Sequence, residues 1–99
     1  MTDQETIEKL AGTNSPDYNI IKTCEELAEL SEVLLKKLAK RGGPKEPTND
    51  AIIEEIGDVV LRCAILAEVF GEKKVQDRMA YKLDKYREYL EQGLYKGKI

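Results

Sequence analysis

The sequence predicts an all-α fold: a four-helix-type bundle, with one short and three long helices per chain, completed by oligomerisation. Three observations carry this expectation. Apolar residues recur at helical spacing along three long stretches. Capping residues open these stretches, and glycine or clustered cations close them. Finally, 99 residues make one domain, residues 1–99, whose high surface-to-volume ratio leaves only a modest core. Long amphipathic helices in so short a chain cover more of their apolar surface by assembling.

The first helix is expected from Thr2 to Ala11. Thr2-x-x-Glu5 has the form of a capping box, Ile7, Leu10 and Ala11 make one apolar edge, and Gly12-Thr13-Asn14 is expected to break it. Ser15-Pro16-Asp17 opens the second helix with a cap, a proline in the first turn and an acid at the positive end of the dipole. That helix runs to about Arg41, where Lys36, Lys37, Lys40 and Arg41 suit its negative end. At about 100° per residue, its expected core stripe is Ile20, Cys24, Leu27, Ser31, Leu34, Leu35 and Leu38, with Ala28 beside it. Glu26 and Glu29 fall roughly opposite, on a face that reads as solvated except for Val33.

Gly42-Gly43-Pro44-Lys45-Glu46-Pro47 is the clearest loop. Thr48 or Asn49 caps the third helix, which runs to about Phe70. Its apolar residues go nearly all the way round, the pattern of a buried helix. Glu55, Asp58 and Arg62 nevertheless form a strip along it, and carboxylates among aliphatics are costly unless paired or metal-bound. Gly57 lies mid-helix, where it costs about 1 kcal/mol relative to alanine; close approach of a backbone or ligand is the expected reason. Gly71 ends this helix. The fourth runs from about Glu72 to Gln92, with Val75, Met79, Leu83, Tyr86 and Leu90 at core spacing and a basic second stripe of Arg78, Lys82 and Lys85. A loose tail from Leu94 to Ile99 follows.

Composition excludes several functions. The net charge of −3 argues against a nucleic-acid polymer as partner. No apolar run is long enough to span a bilayer, and Met1-Thr2-Asp3-Gln4-Glu5 does not open a signal peptide, so a cytoplasmic protein without a membrane partner is expected. Cys24 and Cys63 are expected as free, buried thiols. The chain has 0 histidines and no CxxC, which removes the usual zinc sites, the Ser-His-Asp triad and a histidine base. Any metal must be held by oxygen.

Two acidic pairs remain, Glu26-x-x-Glu29 and Glu55-x-x-Asp58. At i,i+3 both carboxylates of a pair lie on one helix face, and two helices side by side offer four carboxylates to one divalent cation. Hard oxygen donors suit Mg2+, with Mn2+ as a substitute. Such a site clamps phosphates and activates water, and without histidine a carboxylate is the natural proton acceptor. Glu25 and Glu54, each beside a metal-pair residue, are the candidates for that catalytic role. Taken alone, the same acids also fit a non-catalytic helical dimerisation or partner-binding module, with Lys22–Glu26 pairing on a solvated face and Arg62 or a lysine neutralising Glu55 and Asp58.

Together the motifs resemble the MazG-like all-α nucleoside triphosphate pyrophosphohydrolase superfamily. Glu25-Glu26-x-x-Glu29 is followed, with 25 residues between, by Glu55-x-x-Asp58, and Lys82-Leu83 with Arg87 is similar to the superfamily's basic segment. The resemblance covers roughly Ser15 to Glu91. It implies a Mg2+-dependent enzyme that cleaves nucleoside triphosphates between the α and β phosphates, giving monophosphate and pyrophosphate, in nucleotide pool cleaning. It implies Glu26, Glu29, Glu55 and Asp58 as metal ligands, Lys82, Lys85 and Arg87 as phosphate contacts, and a homodimer or homotetramer whose partner helices complete the bundle. The chain departs from some relatives in having Tyr86 near an asparagine position and no stacking tryptophan. A phosphoribosyl-ATP pyrophosphohydrolase-like enzyme is the alternative; the Tyr-His pair usual there reads Val59-Val60-Leu61-Arg62 here.

Overall fold

The computed structural model describes residues 1–93 and is all-helical: α1 (Asp3–Thr13), α2 (Pro16–Ala39), α3 (Asn49–Phe70) and α4 (Glu72–Glu91). The expected tail from Leu94 lies outside the described residues. The caps form as the sequence indicates. The Thr2 hydroxyl accepts from the Glu5 N–H while the Glu5 carboxylate accepts from the Thr2 N–H. Ser15 accepts from the Tyr18 N–H, and Thr48, rather than Asn49, accepts from the Ala51 N–H. Such a cap is worth about 1 kcal/mol. α1 does not stop at Gly12. It continues through Thr13, whose hydroxyl donates to the Lys9 carbonyl at 2.6 Å, and ends at Asn14 in extended backbone.

The central unit is the α2–α3 hairpin. Its antiparallel register is marked by pairs along the seam. Lys37 donates to Asn49 at one end; Glu29 lies against Glu55 and Glu26 near Asp58 in the middle; Lys22 feels Arg62 towards the other end. The loop between the helices is fastened by Glu46, which accepts from the Gly42 N–H and pairs with Lys37 at 3.1 Å. The same lysine donates to the Pro47 carbonyl.

The face of α2 turned to α3 is not its apolar stripe. It is the line Asn19, Thr23, Glu26, Leu30, Val33 and Lys37, all buried or half-buried, with spacings of four and three residues. The expected core residues Ile20, Cys24, Leu27, Ser31, Leu34, Leu35 and Leu38 are exposed instead. Backbone carbonyls serve the donors of the polar side chains in the seam, while the Asn19 Oδ1 is buried without a partner among the described residues. Thr23 donates to the Asn19 carbonyl, and the Asn19 carboxamide donates to the Ala11 carbonyl, which holds the end of α1 against α2. Glu26 therefore does not lie on an open solvated face and Val33 on its side is half-buried, whereas Glu29 is exposed as expected.

α3 is also two-sided rather than buried all round: Ile53, Ile56, Val60 and Leu61 are exposed. Cys24 and Cys63 are free, as expected, but both are exposed rather than buried. At Gly57 an added Cβ would meet nothing within 4 Å, so no close approach within the chain explains that glycine. Ile65 is the one apolar side chain fully buried among the described residues; its truncation to alanine is expected to cost about 2–5 kcal/mol.

α4 departs from α3 through the single residue Gly71, whose φ of 124° and ψ of 96° lie outside the range open to other residues. Its first turns, with Val75 and Met79, line a groove of about 370 Å³ shared with Ile7 of α1 and Val60 and Cys63 of α3. Beyond that α4 projects: from 73 to 93 only Tyr89 is even half-buried, so the expected core stripe of Leu83, Tyr86 and Leu90 is exposed. The radius of gyration is 17.0 Å, against about 13 Å for a compact domain of this length. Among the described residues no helix is long and apolar enough to cross a membrane.

Candidate metal centre

α2 and α3 bring three of the four expected ligands together. One carboxylate oxygen from each of Glu26, Glu29 and Glu55 lies within 4.8 Å of the other two. Neighbouring oxygens in a Mg2+ shell with bonds near 2.1 Å are about 3–4 Å apart, so three oxygens within that limit are close enough for one ion to reach. Asp58 is exposed and not part of this set, yet close enough for its charge to act on both Glu26 and Glu55.

The electrostatics follow from the packing. Glu26 and Glu55 are half-buried, and each has one oxygen, Oε2, out of contact with solvent and without a hydrogen-bond partner. Desolvation pushes both carboxyls up from their ordinary range. The like charges of Glu29 and Asp58 add to this in each case, with Glu55 acting further on Glu26 and Glu54 on Glu55. Among the described residues no lysine or arginine lies within ion-pair distance of Glu26, Glu29, Glu55 or Asp58; the nearby Lys22 is bound to Glu25 at 3.1 Å. The expected Lys22–Glu26 pair is thus not made, and Arg62 does not neutralise Glu55 or Asp58.

The donor set fits a hard divalent cation. It is all oxygen, it carries excess negative charge, and two oxygens buried at the interface lack any partner. A buried carboxylate oxygen without a partner is costly, and a cation held by Glu26, Glu29 and Glu55 would offset both the orphaned oxygens and the mutual repulsion.

The other expected site residues stand apart from this centre. Glu25 is exposed on the outer side of α2 in its pair with Lys22, and Glu54 is exposed beside Glu55. Lys82, Lys85 and Arg87 lie on the projecting part of α4. The Lys82 ammonium is 5.3 Å from the centre of the Tyr86 ring, Lys85 is 5.6 Å from that of Tyr81, and Arg87 pairs with Asp84 at 2.7 Å. α4 packs chiefly on α3, so the basic segment is not assembled over the acids. Sequence reasoning also passed over Asn19 and Thr23, whose polarity hid the buried face of α2. The spacing of Asn19, Thr23, Glu26, Leu30 and Val33 was the available signal. No protein-family model, curated protein or solved structure matches the chain.

Proposed function

We propose that this chain is a Mg2+-dependent nucleoside triphosphate pyrophosphohydrolase, cleaving the α–β phosphoanhydride to give a nucleoside monophosphate and pyrophosphate. The observation that carries this reading is the pair of orphaned oxygens on Glu26 and Glu55, inside a carboxylate cluster that no cation of the described chain neutralises. A structural ion-pair module would set Arg62 or a lysine against those groups.

Glu26, Glu29 and Glu55 would hold the metal in this reading, with the charge of Asp58 at the edge of the set adding to its attraction. Bound there, Mg2+ supplies charge neutralisation at the phosphates and a more acidic water. The chain supplies the base. Glu25 is tied to Lys22, whereas Glu54 has no ion pair among the described residues and sits next to a ligand, so Glu54 is the better placed of the two to take the proton from the attacking water. Lys82, Lys85 and Arg87 contact phosphate when α4, of the same chain or of a second copy, lies over the cluster.

A homodimer or homotetramer belongs to the same proposal. Exposed Leu27, Leu34 and Leu38 on α2, together with Ile53, Ile56 and Val60 on α3, leave more apolar surface than a stable monomer shows. The assembly works in the cytoplasm on a nucleotide, without a membrane or a nucleic-acid polymer.

The test is pyrophosphate release from a panel of ribo- and deoxynucleoside triphosphates, with Mg2+ and with chelator. Release that requires Mg2+ and disappears in Glu55→Gln is expected. No release from any nucleotide by a folded oligomer, with phosphoribosyl-ATP included in the panel, would refute the enzymatic reading.

A further inference from the structure

The charges along the α2–α3 seam are segregated. Glu26, Glu29 and Glu55 gather in one place. Lys22 and Arg62 lie together on the next turn, towards the start of α2 and the end of α3, near enough for Arg62 to disfavour the charged form of Lys22. Most cations of this chain near other groups are committed. Lys22, Lys37 and Arg87 pair with Glu25, Glu46 and Asp84, and Lys82 and Lys85 lie over tyrosine rings. Arg62 is different. It is half-buried in the seam, yet makes no hydrogen bond or ion pair among the described residues. A guanidinium has five N–H donors, and those of Arg62 stay open to solvent, where an incoming acceptor can reach them.

An unneutralised acidic cluster and an uncommitted guanidinium therefore stand side by side. The carboxylates lack a cation, and Arg62, four residues and about 6 Å along α3 from Asp58, is uncommitted and open to an anion. A metal-chelated phosphate chain has that composition: its metal meets the carboxylates and its outlying phosphate oxygens meet the guanidinium. The planar fork of arginine binds phosphate through two parallel hydrogen bonds, which an ammonium does not reproduce.

We propose that Arg62 binds the phosphate chain of the metal-chelated nucleotide and so positions it in the seam of a single chain, without help from α4. This rests on the pyrophosphohydrolase reading and adds a residue to it. It also gives the chain a phosphate contact in cis, where Lys82, Lys85 and Arg87 are remote from the acids.

The experiment uses inorganic pyrophosphate as probe. Its binding in the presence of Mg2+ is measured by calorimetry for the unmodified chain, Arg62→Gln and Arg62→Lys, and Mg2+ alone is titrated by thermal shift for all three. Arg62→Gln is expected to weaken Mg2+–pyrophosphate binding about tenfold or more, the worth of one charge-assisted hydrogen bond. The Mg2+ midpoint should stay unchanged or tighten. Arg62→Lys, which keeps the charge and guards against a folding defect, is expected to recover only part of the loss. In turnover, KM for the triphosphate should rise more than kcat falls. Pyrophosphate binding unchanged in Arg62→Gln would overturn the proposal, as would full recovery in Arg62→Lys. The pyrophosphohydrolase reading fails separately, if the unmodified chain binds Mg2+ and pyrophosphate but releases no pyrophosphate from any triphosphate.

Discussion

Glu26 of α2 and Glu55 of α3 face one seam, and each keeps an oxygen there that neither solvent nor any donor reaches. Glu29 is near both, and its like charge and a hydrogen bond to each favour their protonated forms. The folded chain thus concentrates repulsion at the point where its two longest helices meet. A divalent cation should stabilise it, since anything that binds only the native state raises stability by mass action, by about 2.7 kcal/mol at a hundredfold excess over Kd. For a domain of this size that is on the order of 10 °C in melting temperature. Mg2+ and Mn2+ are expected to produce the shift and Na+ at equal ionic strength is not. A Mg2+ titration that leaves the melting temperature unchanged would sink the metal site.

Replacing one repelling acid should separate stability from function. Glu55→Gln keeps the shape, removes a charge that packing disfavours, and adds an amide donor for Glu29. Its melting temperature without Mg2+ is expected to exceed that of the unmodified chain, while its response to Mg2+ and its pyrophosphate release are lost. A variant that is less stable without metal, and still responds to Mg2+, would show that Glu55 is a structural group and not a ligand.

A second carboxyl pair gives a pH dependence away from this centre. Glu72, at the start of α4, is raised above its ordinary value of 4.5 by a hydrogen bond to Glu68 and the charge of Glu68, then by desolvation and the charge of Glu8. Gln4 joins the group by donating to Glu68 at 2.7 Å. A raised carboxyl contributes stability in its protonated form, fully present below the unfolded value and lost as pH rises through the folded one. Glu46 is lowered by its bonds from Gly42 and Lys37, so its contribution runs the other way: present above 4.5, and lost as pH falls through its folded value. Glu72→Gln should therefore match the unmodified chain near pH 4.5 and melt higher near pH 7 (about the physiological value). Equal melting temperatures at both pH values would show that the Glu68–Glu72 contact carries no linkage.

The outward apolar face predicts assembly. The chain is expected to sediment as a dimer or tetramer at micromolar concentration, and Leu34→Lys or Ile56→Lys to shift it towards monomer, because a buried lysine without a partner is strongly unfavourable. Sedimentation velocity of the three proteins decides it. A monomeric unmodified chain with a cooperative melt would refute the oligomer.

Much of the fold was legible because helix ends are local. Thr2 with Glu5, Ser15 with Pro16, Thr48 and Gly71 each mark a boundary through hydrogen bonds or backbone geometry spanning four residues or fewer. The error at Gly12 has the same origin: a glycine lowers helix propensity without forbidding helix, and the following Thr13 bonds back to Lys9. The acidic site was half legible. Spacing put Glu26 with Glu29 and Glu55 with Asp58 on common faces, but spacing within one helix does not say which face meets the next.

By itself, then, the sequence determined four helices, their caps, the hairpin loop and an all-oxygen acidic inventory with 0 histidines. Tertiary structure decided which side of each helix is inside. Hydropathy chose Ile20, Leu27, Leu34 and Leu38 for the core of α2, yet the packed hairpin buries Asn19, Thr23 and Glu26 and turns those aliphatics outward. The physical reason is that a pair of helices has two apolar sides to offer and only one seam to fill. Hydrogen bonds to backbone carbonyls serve Thr23 and the amide nitrogen of Asn19, though the Asn19 Oδ1 stays buried without a partner among the described residues. The same packing drew Glu26, Glu29 and Glu55 into one cluster, left Asp58 at its edge, and set Arg62 a turn away with no partner among the described residues.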